Sequence, residues 1–167
     1  MSERRLIVSN TGPLISLEKM NRGHAFIRQL YHTVIVPPSV LDEVAADAFE
    51  TQQAYLQYYD IADLIEVRAV TQSVTLPELE RLHQGEIEAI QLALESRLPL
   101  LIEETVGRRV AQQVGLDISG IAGQVLAAWR REVISACDAR NQLEALFRGG
   151  RINRILYDAL TAEISPT

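Results

Sequence analysis

The chain has 167 residues, 47% of them hydrophobic, which supports one full core and not two. A formal charge of −6 speaks against a protein that holds nucleic acid mainly through a basic surface, because Lys and Arg at phosphates supply most non-specific affinity. The single cysteine, Cys137, rules out an internal disulfide and is expected to be a small buried or half-buried hydrophobe, while His24, His32 and His83 lack ligand spacing and speak against zinc.

In chain order, the apolar run Leu6-Ile7-Val8 stops at Ser9-Asn10-Thr11-Gly12 and then Pro13. This reads as a short buried strand that delivers Asn10 to the mouth of a sheet, followed by a helix entered through proline in its first turn. From Leu14 to Met20 the helix is amphipathic, with Leu14, Ile15 and Leu17 opposite Glu18 and Lys19. A second short helix around Ala25 to Tyr31 leads to the strand Val34-Ile35-Val36, closed by Pro37-Pro38. Ser39 then starts a helix through the capping-box-like pattern Ser39-x-x-Asp42, which gives Asp42 a structural task. Glu43 is left without one, three residues after the buried Val40, and can project from the edge of that face toward the sheet's mouth. Phe49 to Asp60 is read as a helix and Leu64 to Val67 as an edge strand. Val74 to Leu82 is a connector whose Glu78, Glu80 and Arg81 form a solvated face.

Gly85 opens the strongest helix, running to Ser96. With Glu86 as reference, Ala89, Ile90, Ala93 and Leu94 fall on its face, whereas Glu88 lies about 200° away. Pro99 to Ile102 is a buried strand with Glu103 and Glu104 at its carboxyl end. Adjacent strand residues point to opposite faces, so only one of these acids can join a cluster with Asn10. Thr105 to Val114 is a helix ended by Gly115, with Arg108 and Arg109 on its first turns, and Leu116 to Ser119 is a last strand. A helix from Gly120 to about Arg131 uses Trp129 as a packing residue. Two further helices in 133–164 join at Arg148-Gly149-Gly150-Arg151.

Strands alternating with helices imply an α/β domain, a mostly parallel sheet covered on both faces. One domain spans 1–167, with a core of about 5–131 and a C-terminal helical extension of about 133–164. No run approaches the ~20 apolar residues of a membrane span, and the N-terminal apolar run is too short for a signal peptide. A cytoplasmic location without membrane association is expected. Lys19 is the only lysine, so the basic residues are almost all arginine, suited to bidentate phosphate or carboxylate contacts.

Four stretches carry a family resemblance: Val8 to Ile15, Gly85 to Ile90, Leu100 to Glu104 followed by Arg108-Arg109, and Gly120 to Gly123. In this order and spacing they resemble the motifs of PIN-domain proteins, in particular the bacterial and archaeal subgroup that often has asparagine where most PIN nucleases have the first aspartate. The resemblance runs from Ile7 to about Ala162. It implies a three-layer α/β/α fold with a mostly parallel sheet of four or five strands, order 3-2-1-4-5, and added C-terminal helices. Strands 1 and 4 would then bound a topological switch point, the crevice where ligands bind in such sheets.

The resemblance also selects Glu104 over Glu103. It implies that Asn10, Glu43, Glu86 and Glu104 hold Mg²⁺ or Mn²⁺, with the three glutamates catalytic, for hydrolysis of phosphodiesters in single-stranded RNA. Ser9 or Thr11 would hold a ligand or water, and Arg108 or Arg109 would contact phosphate. Many relatives are toxins blocked by an antitoxin protein, and many are homodimers, so both partners are implied. The chain departs from the general pattern at Asn10, which is neutral, and at Glu86 and Glu104, which are longer than the usual aspartates. A weak or Mn²⁺-preferring nuclease is the first expectation. The alternative is a PIN fold with a drifted, inactive site that binds nucleic acid or protein. A phospho-accepting receiver domain fits poorly, lacking the paired acids after strand 1 and the later acceptor aspartate.

Overall fold

The structure is a computed structural model that describes residues 3–164. Its short runs of Val, Ile and Leu pair as β1 (Leu6–Ser9), β2 (Thr33–Val36), β3 (Ile65–Val67), β4 (Leu100–Leu101) and β5 (Ile118–Ser119). They form one sheet, all parallel, in the order β3-β2-β1-β4-β5. In β1, Val8 is level with Ile35 on one side and Leu100 on the other. Strand alternation sends neighbours to opposite faces. Ile7 therefore joins a core with Leu14, Leu17, Val125 and Leu143, and Val8 joins another with Ala89, Ile90, Leu92 and Val110.

The first core is covered by α1 (Thr11–Lys19), α2 (Gly23–Leu30), α3 (Pro38–Ala46), α4 (Gln52–Tyr58), α7 (Ile121–Arg130) and α8 (Ala136–Arg148). The second lies under α5 (Gln84–Ser96) and α6 (Thr105–Gln113). The expected three-layer α/β/α architecture and strand order are therefore present. The last helix, α9 (Arg154–Glu163), buries none of its residues and rests on α8, where Tyr157 stacks on Phe147 at 4.8 Å.

Several local expectations are corrected. The third helix starts at Pro38 with Pro37 as its N-cap, because fixed proline φ angles already suit a first turn. Ser39 is thus inside the helix and donates to Glu88, and Asp42 accepts from Gln52 on α4. Glu88 faces α3, not only solvent. The fourth helix is shorter than expected, because Thr51 caps it by accepting from the Ala54 amide. Cys137 is exposed: the buried stripe of α8 is Ala136, Ala139, Leu143 and Leu146, and Cys137 lies off it. Glu78, read as solvated, is half-buried between Arg109 and Arg81.

Candidate active site

β1 brings the chain to the carboxyl end of the sheet, where the Asn10 amide donates to the Leu101 carbonyl at 3.2 Å. Asn10 is the N-cap of α1, where an asparagine side chain ordinarily accepts from the second or third helical amide. The third helical residue here is Pro13, which has no N–H, and the Asn10 side chain makes no cap bond. Its Oδ1 is buried without a partner among the described residues, on a residue only 3% exposed. An unmet acceptor of this kind costs about 1–3 kcal/mol, which a bound cation or donor would relieve.

Three carboxylates line the same cavity, each from a different element. Glu43 of α3 accepts from Thr11 Oγ1 at 2.7 Å, so the first turn of α1 orients it. A Cβ on Gly85 would lie 3.1 Å from Glu43 Oε2 and 3.3 Å from Val40, so the glycine lets α5 approach α3 closely. Glu86, 6% exposed, accepts from the His83 amide at 2.9 Å through Oε2, closing the first turn of α5. Its Oε1 lies 2.6 Å from where a Cβ on Gly107 would be. Glu104 is the N-cap of α6, makes no cap bond and is exposed. Asn10, Thr11, Gly12, Glu43, His83, Glu86, Glu104 and Arg151 line one cavity of about 230 Å³.

Glu103 turns the other way, as alternation along a strand requires. It accepts from Ser16 Oγ (2.6 Å), from the Ile121 amide at the start of α7 (3.1 Å) and from Arg151 (3.3 Å).

The remaining expected contacts lie elsewhere. Ser9 is fully buried, donates to the Asn10 carbonyl at 2.9 Å and does not line the cavity. Arg109 is held by Glu78 in a two-pronged pair of 2.9 and 2.7 Å. The Arg109 hydrogen bond, with Arg81 adding to it, keeps the Glu78 carboxyl below its usual range. Arg108 donates to the Ile102 carbonyl at 2.9 Å and lines a neighbouring cavity. Arg151 and His83, on the other hand, line the carboxylate cavity although nothing local singled them out. The only sequence signal for Arg151 was the glycine break before it; Gly150 has φ +72°, a left-handed turn that suits glycine.

Among the described residues, no three Asp, Glu, His or Cys side chains converge closely enough to cage a metal unaided. The cavity's donors are nonetheless oxygens from three carboxylates and an amide, which is the chemistry hard divalent cations take. The unmet Asn10 oxygen supports that fit.

A family model described as PIN domain (DUF3368) matches residues 6–165. No curated protein matches the chain. Among solved structures, the chain is similar to a PilT N-terminus domain protein from the hyperthermophilic archaeon Sulfolobus solfataricus. The two share 18% identity and a TM-score of 0.50 over 70% of this chain and 87% of that one, a likeness of fold. No helix among the described residues is long and apolar enough to cross a membrane.

Proposed function

Because the chain belongs to the PIN-domain family, a nuclease fold whose members generally use divalent metal ions, we propose that it is a metal-dependent ribonuclease acting on single-stranded RNA at the cavity between β1 and β4. The observation that carries this reading is the unpartnered buried oxygen of Asn10 in a cavity with Glu43, Glu86 and Glu104. Asn10 and the three glutamates would hold Mg²⁺ or Mn²⁺. Such a cation, when bound, acidifies a water and offsets charge that grows on a phosphate under attack.

The chain's own groups divide the work. Thr11 fixes Glu43 and the His83 amide fixes Glu86, so both arms are positioned before substrate arrives. Glu104, exposed and without a side-chain hydrogen bond among the described residues, is the one carboxylate of the three left to turn toward the cation and its water. Arg151 places a positive charge on the cavity wall, where a phosphate needs one.

The neutral Asn10 favours a second reading, in which the site binds RNA without cutting it, since one anion fewer weakens a cation's hold. Cleavage of a labelled single-stranded RNA panel in EDTA, Mg²⁺ or Mn²⁺, beside Glu104→Gln, separates the two. Metal-dependent cutting lost in the variant supports the ribonuclease. RNA binding without cutting by either protein refutes it in favour of the second reading.

A further inference from the structure

Beside the carboxylate cavity lies a second one, of about 360 Å³, lined by Arg108, Ser119, Gly120, Ile152, Leu156 and Leu160. Arg151 lines both cavities, and Glu103, which it pairs with, lines the second. We propose that the second cavity is the subsite for the nucleotide next to the scissile phosphate, with Arg151 gripping the phosphate that links the two positions. The inference rests on the ribonuclease reading and extends it to how the strand is held.

Arg151 is built as a fixed anion clamp. Its Nε donates to Ser16 Oγ at 3.0 Å and its Nη2 to the Gly12 carbonyl at 3.1 Å and Glu103 at 3.3 Å. These bonds immobilise the guanidinium plane, while Nη1 donates to nothing among the described residues and the side chain is 23% exposed. A planar donor already held in place loses little freedom when it takes up a phosphate oxygen.

The second cavity's walls differ in kind. Leu156, 42% exposed, and the half-buried Ile152 and Leu160 give the cavity its aliphatic part. The same cavity is lined by Arg108 and by Ser119, whose hydroxyl donates to the Gly120 carbonyl at 2.9 Å and keeps its oxygen free to accept, while the Glu103 side chain stands 3.3 Å from where a Cβ on Gly120 would be. A cavity lined by both aliphatic side chains and polar groups matches a nucleobase, which has apolar faces and hydrogen-bonding edges. Among the described lining residues two arginines, Arg108 and Arg151, stand against one acid, Glu103, so the cavity's net positive character suits an anionic chain and not a cation.

The test is fluorescence anisotropy with a short labelled single-stranded RNA, and with the same strand carrying an abasic residue at each position in turn. It uses the full chain and its Arg151→Gln, Arg151→Lys and Leu156→Ala variants, with thermal melts to confirm folding. Leu156→Ala, a change at an exposed residue, is expected to weaken binding of the intact strand roughly 3- to 10-fold. It should leave one abasic strand bound as the parent binds it. Arg151→Gln should lower the slope of log affinity against log salt by ~0.7, the share of one phosphate contact on a single strand. Arg151→Lys should retain that slope while binding less tightly. RNA binding indifferent to Leu156→Ala and to an abasic residue at every position would overturn the subsite and leave the ribonuclease reading standing. Failure of the parent chain to bind or cut any RNA would remove both.

Discussion

Gly107→Ala tests whether the position of Glu86 is set by its packing. A Cβ there would stand 2.6 Å from Glu86 Oε1 and 2.7 Å from Ile102 Cδ1, whereas carbon contacts settle at about 3.5–4.0 Å. Something must move by roughly 1 Å. Ile102 is fully buried among Val8, Ile90 and Val110, so the carboxylate is the softer neighbour although the His83 amide holds its other oxygen. In a helix, alanine is favoured over glycine by about 1 kcal/mol, and overpacking costs about 1–3 kcal/mol, so the net loss of stability is about 0–2 kcal/mol. A reacting group displaced by 1 Å can lower turnover ~100-fold. The expected signature is therefore a small change in the urea midpoint with a large loss of metal-dependent cleavage. Gly115→Ala serves as control: Gly115 has φ +85° with nothing within 4 Å of a new Cβ, so it should lose about 1 kcal/mol from backbone strain and keep full activity. A Gly107→Ala protein that gains about 1 kcal/mol and cuts RNA at the parent rate would refute the packing account of Glu86.

Three other outcomes follow from single sites. Asn10→Asp adds a charge at a buried position among three glutamates, so the variant should melt lower than the parent in EDTA and be stabilised more by Mn²⁺; an unchanged Mn²⁺ increment would mean that no cation reaches Asn10. His24, half-buried against Tyr59, is held to a pKa of about 4 first by burial and then by Arg28, below the ordinary 6.5. Its contribution is fully present above pH 6.5 and is lost as pH falls toward 4, by roughly 3 kcal/mol at most, and urea midpoints of His24→Phe should lack that slope. Gly23→Ala would put a Cβ 2.0 Å from the Leu17 carbonyl oxygen, which is backbone and cannot turn aside, so α1 and α2 must part and urea unfolding should show a loss of more than about 3 kcal/mol.

Local patterns explain what could be read before the fold was known. The break from Val8 into Ser9-Asn10-Thr11-Gly12-Pro13 fixed the end of β1, and the phase of Glu86 on the α5 stripe placed it on the buried side. The period of two separated Glu103 from Glu104 but did not say which faced the crevice; the choice of Glu104 came from family resemblance. Where local pattern and structure differ, a competing interaction lies out of local range. The Ser39 capping pattern loses to Pro37-Pro38, which start the same helix two residues earlier, with Pro37 and not Ser39 as its N-cap. Arg109 was captured by Glu78, 31 residues away, and Arg151 is tied to Ser16 across 135 residues. No periodicity encodes such pairings, because they depend on which loops the finished sheet brings together.

The adjacent acids at the end of β4 show how one strand serves two purposes. Glu103 meets a helix N-terminus, a hydroxyl and a guanidinium, all of which favour its charge, so it acts as a fastener between β4, α1, α7 and the turn before α9. Glu104, one residue on, has none of these partners and is the carboxylate left open to the cavity. Arg151 completes the fastener, and it lies in the turn that joins the two C-terminal helices. Those helices are therefore not an appendage to a finished site: α8 buries Leu143 and Leu146 in the first core, and the turn that follows it supplies a wall of the carboxylate cavity. A substitution that frees Arg151 from Glu103 should disturb the cavity while leaving the sheet intact, because no strand hydrogen bond runs through that pair.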